Sequence, residues 1–426
     1  MQCELLIKNA RIAEEGETVD IACDGGKIAA IGAALSAEGR QTIDAAGYWV
    51  SPPFVDCHFH LDSTLSAGKP RRNASGTLLE GIQIWGELKR QQSVEDIIAR
   101  ATRLCRWSIA KGVLAIRSHV DVSDPSLSTV QALLQVREAM RPYIDIQLVA
   151  FPQDGYLRNS GARERLLQAL DMGVDIVGGI PHFERTMQEG TDSIAALCRL
   201  AAERCLRVDM HCDETDDPLS RHIETLAGET VRYGLGGRVA GSHLTSMHSM
   251  DNYYAVKLLA LMAEAKVAAI SNPLINITLQ GRQDTYPKRR GLTRIKEMWN
   301  QNIAVALAHD CVQDPWYPLG THDMLEVAHM AIHAGLLTAP DEMRRAYDGI
   351  TTTAAQVFGL ENYGIRQGNN ADFVILQANS PIEAICLRAN RLFVIRQGKV
   401  LAQTEPMTAQ VMLGDGAEAV DFSSTW

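Results

Sequence analysis

The sequence predicts an α/β protein: a (β/α)8, TIM-like barrel over residues 53–369, carrying a small β-sandwich domain formed by residues 1–52 plus 370–426. Three observations predict it. Eight short apolar runs alternate with helical stretches through the middle of the chain. Both chain ends are rich in short strands separated by glycine turns. Histidines and an aspartate stand where four of the eight runs end.

The ends come first. Cys3 to Ile12 alternates loosely, and Val19 to Cys23 runs into Asp24-Gly25-Gly26, a hairpin signal with Lys27 to Ile31 as the return strand. Near the C-terminus, Asp372 to Leu376 is an apolar run, and Leu392 to Ile395 and Lys399 to Ala402 flank Gln397-Gly398. The shared pattern implies that the two ends pair into one β domain.

The eight middle runs are Val55–His60, Val113–His119, Ile144–Phe151, Val174–Pro181, Arg207–His211, Val239–His243, Val267–Pro273 and Ile303–His309. Helical periodicity fills the gaps, as over Val94–Lys111, Thr129–Met140 and Asp192–Cys205. Strands that alternate with helices run parallel, and eight such units close a barrel. A dinucleotide-binding sheet would need a glycine-rich fingerprint after its first strand, and this chain has none. The 426 residues suit one barrel plus a satellite domain.

Charge and cysteine usage narrow the function classes. A formal net charge of −10 repels a phosphate backbone, so nucleic acid is not an expected partner. The run Lys288-Arg289-Arg290 reads as a solvated loop or a set of local ion pairs. Nine cysteines without a CxxC spacing argue against disulfides and a zinc knuckle. No signal peptide or membrane-spanning run is evident. The expectation is a reduced, cytoplasmic enzyme with no membrane partner, and a homo-oligomer.

In a (β/α)8 barrel the active site lies at the C-terminal ends of the strands. The first run ends in His58-Phe59-His60, the fifth leads into His211 with Glu214 three residues on, the sixth ends at His243 and the eighth at His309-Asp310. Side chains along a strand repeat every two residues, so His58 and His60 share a face. His58, His60, His211 and Asp310 would surround one divalent metal, with zinc or iron suiting nitrogen and oxygen donors and a water in the open position. The metal would make that water nucleophilic near neutral pH. His119 and His182 also stand at strand ends and could line the mouth. Packing or surface roles are expected for them and for His222, His248, His322, His329 and His333.

These residues carry a resemblance. The HxH, His, His, Asp pattern on a βα repeat resembles the amidohydrolase superfamily, and within it the bacterial cytosine deaminases. The segments that match are PPFVDCHFHLD (52–62), SHVDVSD (118–124), VAFPQ (149–153), VGGIPHFE (177–184), DMHCDE (209–214), LQGRQDTYPKRRG (279–291) and DPWYPLG (314–320). The resemblance implies that His58, His60, His211 and Asp310 bind one metal ion, Zn2+ or Fe2+, and that His243 stands beside the attacking water. Glu214 would shuttle the proton, Gln153 would hold the ring and Trp316 would form pocket wall. The fourth run ends in Ile180-Pro181-His182, without the lysine that superfamily members with two metals often place there, so one metal is implied.

The implied reaction is hydrolytic deamination of a free pyrimidine base: 5-methylcytosine to thymine, or cytosine to uracil, with release of ammonia. It adds water at C4, protonates N3 and expels the amine. Asp310 can accept the proton of water while His243 orients it. Glu214 can donate to N3, which needs a pKa raised by partial desolvation. The planar amide of Gln153 offers a donor and an acceptor to the base edge, and Trp316 offers a flat apolar face. Alternatives are deamination of another heterocycle such as isoguanine, or hydrolysis of a cyclic amide. A non-catalytic binding barrel would be expected to lack Glu214 or a ligand.

One position departs from the family. An acidic residue follows the metal-binding aspartate there, and here it is Cys311. A protonated thiol is a small hydrophobe, so the pocket floor would admit a C5 methyl without desolvating a carboxylate. Burying the methyl would add about 0.8 kcal/mol. The expectation is that 5-methylcytosine is accepted well, as well as or better than cytosine; the alternative is that Cys311 only packs and the enzyme is an ordinary cytosine deaminase.

Overall fold

The computed structural model describes residues 1–414 and 416–422. The chain begins with β1 (Gln2–Ala10), β2 (Val19–Asp24), β3 (Lys27–Gly32) and β4 (Glu38–Asp44), which form one sheet in the order β3-β2-β1-β4. Adjacent strands are antiparallel except β1 and β4, which are parallel. A short strand, β5 (Trp49–Ser51), leads into the barrel.

The barrel strands are β6 (Phe54–Phe59), β7 (Val113–Asp121), β8 (Asp145–Phe151), β9 (Ile176–Gly179), β10 (Arg207–Cys212), β11 (Val239–His243), β12 (Ala268–Ser271) and β13 (Val305–Leu307). They run parallel in sequence order. Each coincides with one of the eight apolar runs. Strands β6 and β13 meet at a single parallel bridge between Phe59 and Asp310. All nine residues of β7 are buried, as expected of a strand covered on both faces.

The intervening helices present one apolar stripe each. In Val94–Ala110, Ile97, Ala101, Leu104, Cys105, Ser108 and Ile109 are buried, a helical spacing facing the barrel. Ser93 caps that helix by accepting from the Asp96 amide. The stretch expected at Asp192–Cys205 is a helix over Met187–Glu203, a turn longer because Thr186 caps it through the Glu189 amide.

The C-terminal strands are β14 (Phe373–Leu376), β15 (Arg391–Arg396) and β16 (Lys399–Gln403), which form an antiparallel sheet with β5. A separate hairpin follows, β17 (Ala409–Leu413) with β18 (Gly416–Val420). Both turns read from the sequence are present, with left-handed backbone at Gly25-Gly26 and at Gln397-Gly398, the geometry that matches the twist of a hairpin. The two ends join mainly by stacking. Leu5, Ile7, Ile21 and Ile43 of one sheet pack against Val50, Phe373, Ile375 and Ile395 of the other. The result is a small sandwich.

The barrel interior is layered. At the bottom, Val55, Cys57, Ala115, Ala240, Ile270 and Ala306 pack around Ala354, Ala355 and Phe358 of the helix Thr352–Phe358. Above them lies a buried ion pair, Arg117 Nη1 to Asp209 Oδ2 at 2.8 Å. Arg117 also donates to the carbonyls of Val357 and Phe358, and Ser242 donates to Asp209 Oδ1 at 2.8 Å. The next layer is imidazole. Among the described residues no helix is long and apolar enough to cross a membrane. All nine cysteines are free thiols.

Candidate metal centre and active site

The strand ends bring the expected residues together. Strand β6 carries one extra residue between Asp56 and Phe59 relative to β7. Such a bulge changes the alternation of the strand. Cys57 therefore joins the apolar plug while His58 and His60, two residues apart, both face the mouth. His211 is the next-to-last residue of β10, and its ring stacks on Phe151 of β8 at 4.1 Å and 18°. His243 and Asp310 each have φ of 70°, a left-handed backbone uncommon outside glycine and frequent at functional sites.

The donor atoms converge. His60 Nε2 lies 3.0 Å from His211 Nε2. Asp310 Oδ1 lies 3.5 Å from His58 Nε2 and 3.4 Å from His60 Nε2, and Asp310 Oδ2 lies 3.7 Å from His243 Nε2. Four atoms held 2.1 Å from one zinc in a tetrahedron would be about 3.4 Å apart. Among the described residues, two overlapping groups keep their donors within 4.8 Å of one another: His58, His211, His243 and Asp310, and His58, His60 and His119.

Hydrogen bonding leaves room for a cation. Neither ring nitrogen of His58 has a hydrogen-bond partner, and nor does His211 Nδ1. A buried polar atom without a partner costs about 1–3 kcal/mol. A divalent metal bound by His58 Nε2, which faces Asp310, removes that cost at this atom, so the residues present fit the ion. Burial pushes the His60 imidazole down to about 3 and those of His211 and His243 well below their ordinary value. Neutral imidazoles are the form that ligates. For Asp310, burial pulls the pKa up, but His58, His243 and His60 facing it hold the carboxyl below the usual range.

Glu214 follows β10 in a loop that Asp213 pins down. Asp213 accepts from Ser220 Oγ, from the amides of His222 and Ile223, and pairs with His222 Nδ1 at 2.9 Å. Glu214 Oε1 lies 3.4 Å from His243 Nδ1. Burial, and then the charge of Asp310, raise the Glu214 carboxyl well above its ordinary value.

One cleft, with about 360 Å³ of empty space, joins these groups to Gln153, Cys311 and Trp316. Leu78, Ile82, Ile180, Ile275 and Leu279 supply apolar wall. Cys311 is 3% exposed, and its Sγ lies 3.5 Å from Asp310 Oδ1. Burial, then the charges of Asp310 and Asp314, push the thiol well above its ordinary value, so it stays neutral. His58 sits below the cleft floor, fully buried.

Several contributors were not legible in the sequence. Asn276 Nδ2 reaches His243 Nδ1 at 3.0 Å, and Asn272 Nδ2 reaches it at 3.2 Å and Asp310 Oδ2 at 3.4 Å. The two asparagines are four residues apart, one helical turn, the only local signal that pairs them. His322, expected to pack or face solvent, is buried and bonds Asp56 Oδ2 at 2.8 Å. Asp56 accepts in turn from the His58 amide at 3.0 Å and the His309 amide at 3.3 Å. His119 lies in the imidazole layer, 3.6 Å from Asp209 Oδ1. The basic run behaves as expected: Arg289 pairs with Asp284, and Lys288 bonds the Gly281 and Asp284 carbonyls.

Comparison with known proteins identifies the family of the fold. The model of the amidohydrolase family matches residues 41–402. The 5-methylcytosine deaminase of Klebsiella pneumoniae, solved with 5-fluorocytosine, superposes with a TM-score of 0.92 at 41% identity, over 94% of this chain and 98% of that one. The N-isopropylammelide isopropylaminohydrolase of Burkholderia multivorans superposes with a TM-score of 0.82 at 27% identity, over 94% and 98%. The N-isopropylammelide isopropyl amidohydrolase of Pseudomonas sp. (strain ADP) is 28% identical over 417 residues, 95% of this chain and 99% of that protein. The chain thus belongs to the amidohydrolase family, as a cytosine-deaminase-like, metal-dependent hydrolase.

Proposed function

We propose that this protein hydrolytically deaminates a free cytosine-type base, converting 5-methylcytosine to thymine and cytosine to uracil with release of ammonia. The observation that carries the reading is a single cleft in which a buried Glu214, its carboxyl raised above the ordinary value by burial, stands 3.4 Å from His243 beside a cluster of imidazoles and one carboxylate. The deaminase at 41% identity supports the substrate class.

In this reading His58, His60, His211 and Asp310 hold one divalent ion, Zn2+ or Fe2+. The ion supplies the Lewis acidity that makes water nucleophilic at neutral pH. Asp310 takes the proton that water loses, through the carboxylate oxygen facing His243. His243, whose Nε2 lies 3.7 Å from that oxygen, orients the water. Glu214 gives its proton to N3 of the ring, takes the proton of the new C4 hydroxyl as the carbonyl forms and passes it to the departing amine, and the proton held by Asp310 then restores Glu214. Gln153 pairs with the donor and acceptor edge of the base, and Trp316 covers its face. The neutral thiol of Cys311 leaves an apolar floor for a C5 methyl, which favours 5-methylcytosine over cytosine. The division into a β domain (residues 1–52 plus 370–426) and a barrel (53–369) belongs to the same proposal.

A second reading, deamination or dealkylation of another nitrogen heterocycle such as isoguanine or a triazine, is favoured by the relative acting on N-isopropylammelide. The deciding experiment measures kcat/KM for ammonia release from cytosine, 5-methylcytosine and isoguanine with zinc- or iron-loaded protein. A lead for 5-methylcytosine is the expected result. A lead for isoguanine keeps the chemistry and overturns the substrate assignment.

A further inference from the structure

The helix Leu78–Leu88 follows β6 and lays its first turns against the cleft, where Leu78 and Ile82 are wall residues. Gly81 lies between them, buried, at the fourth position of the helix. Its backbone is helical, so no turn or left-handed conformation requires glycine there. Relative to alanine a helix-interior glycine costs about 1 kcal/mol, and such a residue calls for a packing reason.

The reason is Trp316. A Cβ on Gly81 would lie 2.3 Å from Cδ1, 2.5 Å from Nε1 and 2.9 Å from Cγ of the indole. These atoms belong to a rigid buried ring, 8% exposed, and have no flexible end that can swing aside. The same indole is cleft wall, and it stands 6.3 Å from the His60 ring. It is therefore held between the helix on one side and the metal-site imidazoles on the other.

We propose that Gly81 is a positioning residue that sets substrate specificity: lacking a side chain, it seats Trp316 back against the helix and so fixes the width of the cleft. The identity of the ring admitted rests on the deaminase reading above; the contact does not. Ordinary contact begins at 3.4 Å, so a methyl on residue 81 forces the indole about 1 Å away from the helix, towards His60 and the bound ring. The larger base loses most, and it loses in KM because the groups that move protons stay in place.

The test is a cycle of Gly81→Ala, Trp316→Leu and the double variant, each metal-loaded and full-length. Melting temperature needs no substrate. Gly81→Ala lowers it by a few degrees beside Trp316, and raises it beside leucine, whose flexible end yields and leaves only the helix preference. With Trp316 present, Gly81→Ala raises KM for 5-methylcytosine about tenfold, with a smaller rise for cytosine and unchanged metal content. Additive melting shifts, or equal losses for both bases, overturn the proposal. Wild-type protein silent with both bases overturns the deaminase reading instead, and the sign of the melting cycle then decides for or against the Gly81–Trp316 seat.

Discussion

Asp310 is tied to His60 twice. Its carbonyl accepts from the His60 amide at 3.0 Å, and its Oδ1 lies 3.4 Å from His60 Nε2. The contact that closes the barrel between its first and last strands is thus the contact that assembles the donor cluster. Asp310→Asn keeps the backbone bonds and removes the charge. Metal content measured by elemental analysis should fall well below one ion per chain. Ammonia release should fall by more than about 100-fold, because outer partners of a metal site alone are worth 10–100-fold. A chelator should abolish activity in the wild type, and zinc or ferrous iron should restore it.

Glu214→Gln should leave metal content unchanged and lower kcat by a factor on the order of 10²–10⁴, the usual worth of a positioned acid. The sign of its effect on stability also follows. Burial raises this carboxyl in the fold, so the folded protein keeps a proton that the unfolded chain releases above about pH 4.3. Stability is then lost as pH rises from there to the folded pKa. Melting curves from pH 5 to 8 should fall less steeply in the glutamine variant. Equal slopes would mean that Glu214 is ionised in the fold.

Cys311→Asp restores a carboxylate to the pocket floor, beside Asp310. The ratio of kcat/KM for 5-methylcytosine over cytosine should fall by about tenfold or more, since a buried charge facing a methyl is costly. An unchanged ratio would make Cys311 packing alone.

Beneath the imidazoles, the Arg117 and Asp209 side chains are 2% and 0% exposed. Arg117→Met strands the Asp209 carboxylate and should cost about 3–5 kcal/mol. Adding Asp209→Leu should recover most of that loss. Denaturant unfolding of the three variants measures it, and a double variant as unstable as the single one would contradict the pairing.

Asn276→Leu should lower kcat by about 10–100-fold with metal retained, the range for a group that orients a site residue through one hydrogen bond. The Asn276 amide reaches His243 at 3.0 Å and is not part of the cleft wall, so KM should stay near the wild-type value.

The amino-acid sequence by itself determined the eight-fold βα alternation, the two hairpins and the histidines that end strands, because each is a local pattern: a run, a turn or a two-residue spacing. Only the tertiary structure decided what supports them. The bulge that turns both Cys57 and His58 inward depends on the pairing of β6 with β7. His322 meets Asp56 across 266 residues of chain, and Asn276 meets His243 across 33. Gly81 reads as an ordinary weak point in a helix until Trp316 is seen against it. Periodicity records which face a residue takes on its own element, whereas these contacts depend on how separate elements close on one another, and that is settled when the barrel closes at Phe59 and Asp310.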